Sequence, residues 1–267
     1  MATEVDTVES DTRAGGWARR GVAWFTTTWD DIDATRGADV RFGRYEAGLL
    51  VVASAALAIM RFPAQGTQIQ EWLGVGSRWY ELGDEIPWAL FAIVGYVVVP
   101  LVYLRATGRR VRDLSLGWAG TRRHLGVYAV LAVLMIVPVV IMSGTGPYQA
   151  LYPFYELAGR SWLDFLLWES AYCAQFFALE FFFRGFMLEG LRRPLGHAAI
   201  FVMVVPYCAI HFNKTFSESM AAIVAGVVLG TMAMKWRSIW GGALLHCAVA
   251  VSMDVAMLTR EGLFPPP

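Results

Sequence analysis

"ALEFFFRGFMLEG", residues 178–190, decides how the chain is read. An acid, Glu180, and a base, Arg184, stand in a run of phenylalanine, leucine and methionine otherwise fit for lipid. A charged group at membrane depth costs roughly 2.5–3.5 kcal/mol on insertion scales, and such groups face a bundle interior or a water-filled cavity. Four residues apart, Glu180 and Arg184 share a helix face and neutralise each other. Glu169 precedes Glu180 by nearly three whole turns and points the same way. The line Glu169, Cys173, Phe176, Glu180, Arg184 is a partly polar stripe on an apolar helix.

The rest of the sequence supports a membrane setting. Of 267 residues, 57% are hydrophobic and 16% charged, against roughly 25% charged in a typical soluble domain. This fits a multi-spanning protein and not a soluble enzyme with a large core. The formal net charge is zero, so bulk charge suggests no nucleic-acid partner. Lys214 and Lys235 are the only lysines, an arginine bias that fits a GC-rich genome. Cys173, Cys208 and Cys247 lie in apolar segments without framework spacing, so they read as small buried residues and no structural disulfide is expected.

Seven spans are expected, an all-α polytopic bundle: Tyr45–Arg61, Ile86–Leu104, Leu125–Met142 with a kink at Pro138, Ser161 to as far as Arg193, Ala198–His211, Ser219–Met234 and Ser238–Leu258. Residues 1–44 form a polar tail with no signal-peptide core, residues 45–259 the membrane domain, and 260–267 a short tail. Within the first tail, Trp17, Gly21, Trp24, Phe25 and Trp29 fall on one helical face beside Arg19 and Arg20, a helix suited to the membrane surface. A disordered tail is the alternative. Arg105, Arg109, Arg110, Arg112, Arg122 and Arg123 crowd one loop against Asp113 alone, whereas the Phe62–Glu85 loop carries one arginine and four acids. That asymmetry puts the N-terminus in the cytoplasm.

Two further segments carry a histidine, His211 in "PYCAIHF" and His246 in "GGALLHCAVAVSMD". Glu180 and His211 lie at similar depth, about 20 Å above the cytoplasmic ends of their helices, and His246 about 12 Å up. An acid, an arginine and two histidines on three helices form a hydrolytic set: a carboxylate takes a proton from water and histidines position it or stabilise an oxyanion. The same residue types also suit zinc or another divalent metal. Blander readings stand beside these. Glu180–Arg184 also fits a structural ion pair, the histidines interhelical hydrogen bonds, Lys214–Glu218 a solvated surface pair, Glu189 an uninvolved interfacial residue, and Asp254 a gate or a structural partner. Gly226 and Gly230, four apart, signal close helix packing.

In this arrangement the chain resembles the CPBP family of intramembrane proteases, the type II CAAX prenyl endopeptidase-like or Abi group. Its motifs run E-E-x-x-x-R, F-x-x-x-H and H-x-x-x-N/D on successive membrane segments. "LEFFFRG" is similar to the first at Glu180 and Arg184, "YCAIH" to the second at His211, with Tyr207 for phenylalanine, and "HCAVA" to the start of the third at His246. Leu179 stands where the family has its first glutamate, and Ala250 where it has asparagine or aspartate. The resemblance implies an integral membrane endopeptidase, in a bacterial cell membrane, cutting a membrane protein or membrane-anchored peptide. Glu180, Arg184, His211 and His246 would then be catalytic, with Glu169, Glu218 or Asp254 as substitutes for the missing carboxylate. It equally allows an inactive relative that binds or protects a membrane protein. No cofactor is firmly implied. Family members have been described both as metalloproteases and as metal-free glutamate enzymes.

Overall fold

The computed structural model describes residues 3–36, 41–61, 74 and 77–267, with the backbone alone for residues 3–15 and Asp84. The helices are α1 (Thr3–Ala34), α2 (Arg44–Arg61), α3 (Leu82–Ile93), α4 (Val99–Ala106), α5 (Trp118–Arg123), α6 (Leu125–Met142), α7 (Gly146–Gln149), α8 (Trp162–Glu180), α9 (Leu188–Leu195), α10 (Ala198–Ala209), α11 (Phe216–Trp236) and α12 (Trp240–Arg260). π-turns at Val94–Val98 and Phe181–Met187 join α3 to α4 and α8 to α9 as unbroken rods. Among the described residues the only β-pairing is an isolated bridge, Leu116 to Ser238.

Among the described residues, four helical stretches are long and apolar enough to cross a membrane: Glu85–Ala106, Leu125–Met142, Phe216–Trp236 and Trp240–Arg260. Ala198–Ala209 is a shorter apolar helix. The α2 segment is helical over Arg44–Arg61, and the expected long fourth segment is the α8–π–α9 rod. α6 shows why the exterior suits lipid. It exposes Val130, Val133, Leu134, Val137 and Ile141, and Tyr128 is its buried residue. Such an apolar surface would be a liability in water. The protein is an all-α bundle of membrane helices.

The α8–π–α9 rod is its axis. α3 and α12 flank α8, and α6 packs on α12. Every residue of the π-turn Phe181–Met187 is buried, so the three phenylalanines between Glu180 and Arg184 face protein on all sides. Phe182 stacks on Tyr96 from the other π-turn, with ring centroids 4.8 Å apart. α10 and α11 pair closely. A methyl group at Gly226 would press on Val204 and Tyr207, and one at Gly230 on Ile200 and Met203, which is the packing expected of these glycines. Ser161 caps α8 by accepting from the Asp164 N–H, and Thr215 with Glu218 forms a reciprocal capping box on α11.

α1 is docked against the bundle. The Trp29 indole donates to Thr231 at 3.2 Å, and Lys235 donates to Thr28 at 2.8 Å while lying over the Trp24 ring. The expected membrane-facing stripe is thereby divided: Trp24 and Trp29 contact protein, while Trp17 is exposed. The six loop arginines from Arg105 to Arg123 are all exposed. Most of the acidic Phe62–Glu85 loop lies outside the described residues.

Candidate active site

Glu180 ends α8 and Arg184 sits within the π-turn. Their side chains are fully buried, with Oε1 and Nη1 3.0 Å apart. π-turns recur at functional sites because they re-aim side chains within a helix. From α12, His246 brings Nδ1 to 3.4 Å from Glu180 Oε1. Gly242 makes that approach possible, since a methyl group there would overlap the Glu180 carboxylate. Its neighbour Gly241 accommodates the Tyr128 ring of α6 in the same way.

Tyr207 of α10 joins the two histidines. Its hydroxyl lies 2.9 Å from His246 Nε2, its carbonyl 2.8 Å from His211 Nδ1, and its ring 4.1 Å beneath the Arg184 guanidinium. His246 Nδ1 lies 2.9 Å from the Gly242 carbonyl. A carbonyl only accepts, so each Nδ1 carries the proton and donates it. In the neutral ring each Nε2 is then an acceptor. His246 Nε2 accepts from the Tyr207 hydroxyl. Glu180, Arg184 and His246 lie together, and His211 is attached to them through Tyr207.

Three membrane-depth cavities meet this cluster. One of about 410 Å³ is lined by His211, His246, Lys214 and Glu218. A second of about 490 Å³ is lined by Gln175, Leu179, His211 and Lys214. A third, of about 370 Å³ and almost wholly apolar, reaches His246 between α6, α11 and α12. Both histidines therefore face open space. Glu180 lines none of these three cavities; it backs His246. Leu179 lines the second cavity and Ala250 the first.

Several surrounding residues differ from their sequence reading. Lys214 and Glu218 are not a solvated surface pair: both line the cavity, 3.8 Å apart, with Lys214 over the Tyr152 and Phe154 rings. The Glu218 carboxylate is already engaged by the Tyr152 hydroxyl at 2.5 Å, the Thr215 hydroxyl at 2.8 Å and the Thr215 N–H at 3.2 Å. Asp254 is a structural partner that accepts from the Trp168 indole at 2.8 Å, and Glu169 interacts with it instead of joining Glu180. Glu189 is half-buried, not idle. It accepts from Ser115 and pairs with Arg192 and Arg237. Cys173, Cys208 and Cys247 are free thiols. Sequence reasoning passed over Gly242 and Tyr207 as site-builders. Their signals were a glycine one turn before His246 and a tyrosine one turn before His211.

Residues 161–252 match the family model described as type II CAAX prenyl endopeptidase Rce1-like. Over these residues the chain is similar to the Rce1-like family. The Rce1-like region is about a third of the chain. It holds α8 to α11 and half of α12, including Glu180, Arg184, Tyr207, His211, Gly242 and His246. No curated protein and no solved structure matches the chain. The Rce1-like family is a protease family. The residues do not fit a metal centre. Among the described residues no three His, Cys, Asp or Glu side chains gather as a ligand set, and Arg184 occupies the near side of the Glu180 carboxylate.

Proposed function

We propose that the chain is an intramembrane endopeptidase that hydrolyses a peptide bond of a membrane protein or membrane-anchored peptide. The observation that carries this reading is the buried Glu180–His246–Tyr207 connection ending at a cavity wall. Glu180 activates water through His246. Water lodged at the wall gives its proton to His246 Nε2, and the Glu180 carboxylate behind Nδ1 stabilises the resulting imidazolium, as a carboxylate backs histidine in hydrolytic triads. Arg184 fixes Glu180 in place. His211 orients the water with its Nε2, and the Tyr207 hydroxyl, freed from His246, donates to the developing oxyanion. The substrate lies in the 410 Å³ cavity, whose aliphatic and aromatic lining accepts an apolar segment. The protein resides in a bacterial cell membrane with its N-terminus in the cytoplasm, as the loop arginines favour.

Mass spectrometry of peptide termini in membrane fractions tests this. Wild type, a deletion strain, and deletion strains carrying Glu180→Gln or His246→Ala would be compared at matched expression. Termini that vanish in the deletion strain should stay absent in both variants. Their return in both variants would remove Glu180 and His246 from the reaction. A second reading, an inactive member that binds or protects a membrane protein, is favoured by Leu179 and Ala250, apolar residues on the cavity walls at the family's polar positions. It expects no termini to depend on the protein, and Glu180→Gln to keep the biological function.

A further inference from the structure

A cavity of about 490 Å³ opens at the arginine-rich end of the bundle, away from Glu180. It lies where α2 begins and where α4 and α9 end, and its walls carry Arg109, Arg110, Arg192, Arg193 and Arg237. Three acids, Glu46, Asp113 and Glu189, share it. Two of the arginines are committed, since Arg192 and Arg237 both pair with the half-buried Glu189. Arg192 also donates to the Met234 carbonyl at 3.3 Å. Arg109 lies 4.3 Å over the Tyr45 ring, which fixes its guanidinium at the rim. Arg110 and Arg193 are exposed and have no ion pair among the described residues. Arginines without acids are thus held around a concave space by elements that are themselves anchored.

This combination matches a known chemical target. Arginine's planar fork binds phosphate oxygens in pairs. Basic pockets between membrane helices at the cytoplasmic side hold lipid headgroups. The N-terminal end of α2 also lies at this cavity, where Glu46 accepts from the Gly43 N–H at 2.9 Å. We propose that this cavity binds a phosphate-bearing anion, supplied either by an anionic phospholipid headgroup or by a soluble phosphate compound. The proposal is independent of the peptidase reading.

Native mass spectrometry of the full-length protein in neutral detergent separates the two sources. Phosphatidylglycerol, phosphatidylcholine and inorganic pyrophosphate would be titrated in turn. The variants are Arg110→Gln/Arg193→Gln and, as a control, Arg122→Gln/Arg123→Gln. The control pair is also exposed near the same end but lies outside the cavity. If lipid is the ligand, phosphatidylglycerol should bind ahead of phosphatidylcholine in wild type and control. It should weaken about fivefold for each arginine lost from the cavity. If the ligand is soluble, pyrophosphate should show that same dependence without a preference between the lipids. Equal binding in wild type and the cavity variant overturns the proposal. So does an equal loss in the control, which would reduce the effect to diffuse charge.

Discussion

α8 carries two buried carboxylates with arginine partners, and they are built differently. Asp164, in the first turn of α8, accepts from Arg78 at 2.9 Å, from two nitrogens of Arg160, from Ser161 and from the Tyr155 hydroxyl. Both of its arginines reach solvent. Glu180, at the other end of α8, has Arg184 at 3.0 Å and little else. Nε, Nη1 and Nη2 of Arg184 and Oε1 of Glu180 lack well-aligned hydrogen bonds, although all are buried. Buried polar groups are nearly always satisfied, and those that are not often have a catalytic role. The first pair fastens α8 to its neighbours. The second leaves bonding capacity open, as the buried Glu169 also does, and it is the pair that the proposed reaction uses.

That contrast can be broken by substitution. The largest effect is expected from Glu180→Gln, which should lower cleavage by about 10²–10⁴-fold, the range for loss of acid–base assistance. Its stability should fall too, by roughly 3–5 kcal/mol, because the fully buried Arg184 guanidinium is left without its carboxylate, so cleavage is read per folded molecule. Terminus counts and a thermal unfolding curve check the two halves. Gly242→Ala comes next. The added methyl displaces the Glu180 carboxylate, and a shift of about 1 Å at a reacting group is worth about 10²-fold. A Gly242→Ala protein that cleaves at the wild-type rate would remove Glu180 from the machinery. Asp164→Asn should differ from Glu180→Gln in activity. It should lose about 2 kcal/mol of stability, a figure reduced for the solvent reached by Arg78 and Arg160, while each folded molecule keeps its activity.

The smallest effect concerns a third acid, Asp33 of α1, which is partly exposed. It accepts from the His197 backbone N–H at 2.8 Å, and its other oxygen lies 2.9 Å from His197 Nδ1. Burial opposes its ionisation, but those two bonds and the charges of His197 and Arg36 outweigh it and hold the carboxyl below the usual aspartate range. Because the folded value is depressed, its contribution is present above about pH 4 and is lost as pH falls below that. Hydrogen exchange of α1 should therefore rise below about pH 4 in wild type and show a weaker rise in Asp33→Asn.

Much of the site was legible because charge in an apolar helix is rare. Glu180, Arg184, His211 and His246 stood out against their segments, and the matched family region contains all four. The glycine pair Gly226 and Gly230 announced the α10–α11 contact for a local reason, the absence of side chains on one face. What was hidden depends on which helices become neighbours. Glu169 shares a helical stripe with Glu180 on paper, yet it meets Asp254 of α12. Lys214 and Glu218, one turn apart, resemble a surface pair until Tyr152 and Phe154 close over them. The π-turn was also invisible, since the ordinary i,i+4 spacing of Glu180 and Arg184 carries no mark of it. It buries seven consecutive residues, which a regular amphipathic helix does not do.

The most direct test sets the two carboxylates side by side. Cleaved termini per folded molecule would be measured in membranes carrying Glu180→Gln or Asp164→Asn, with folded protein quantified in the same fractions. The account predicts that both variants accumulate less folded protein, that the folded Glu180→Gln molecules yield none of the termini, and that the folded Asp164→Asn molecules keep an undiminished yield. If both variants lose termini only in proportion to folded protein, Glu180 is a structural ion pair like Asp164, and the catalytic assignment is wrong.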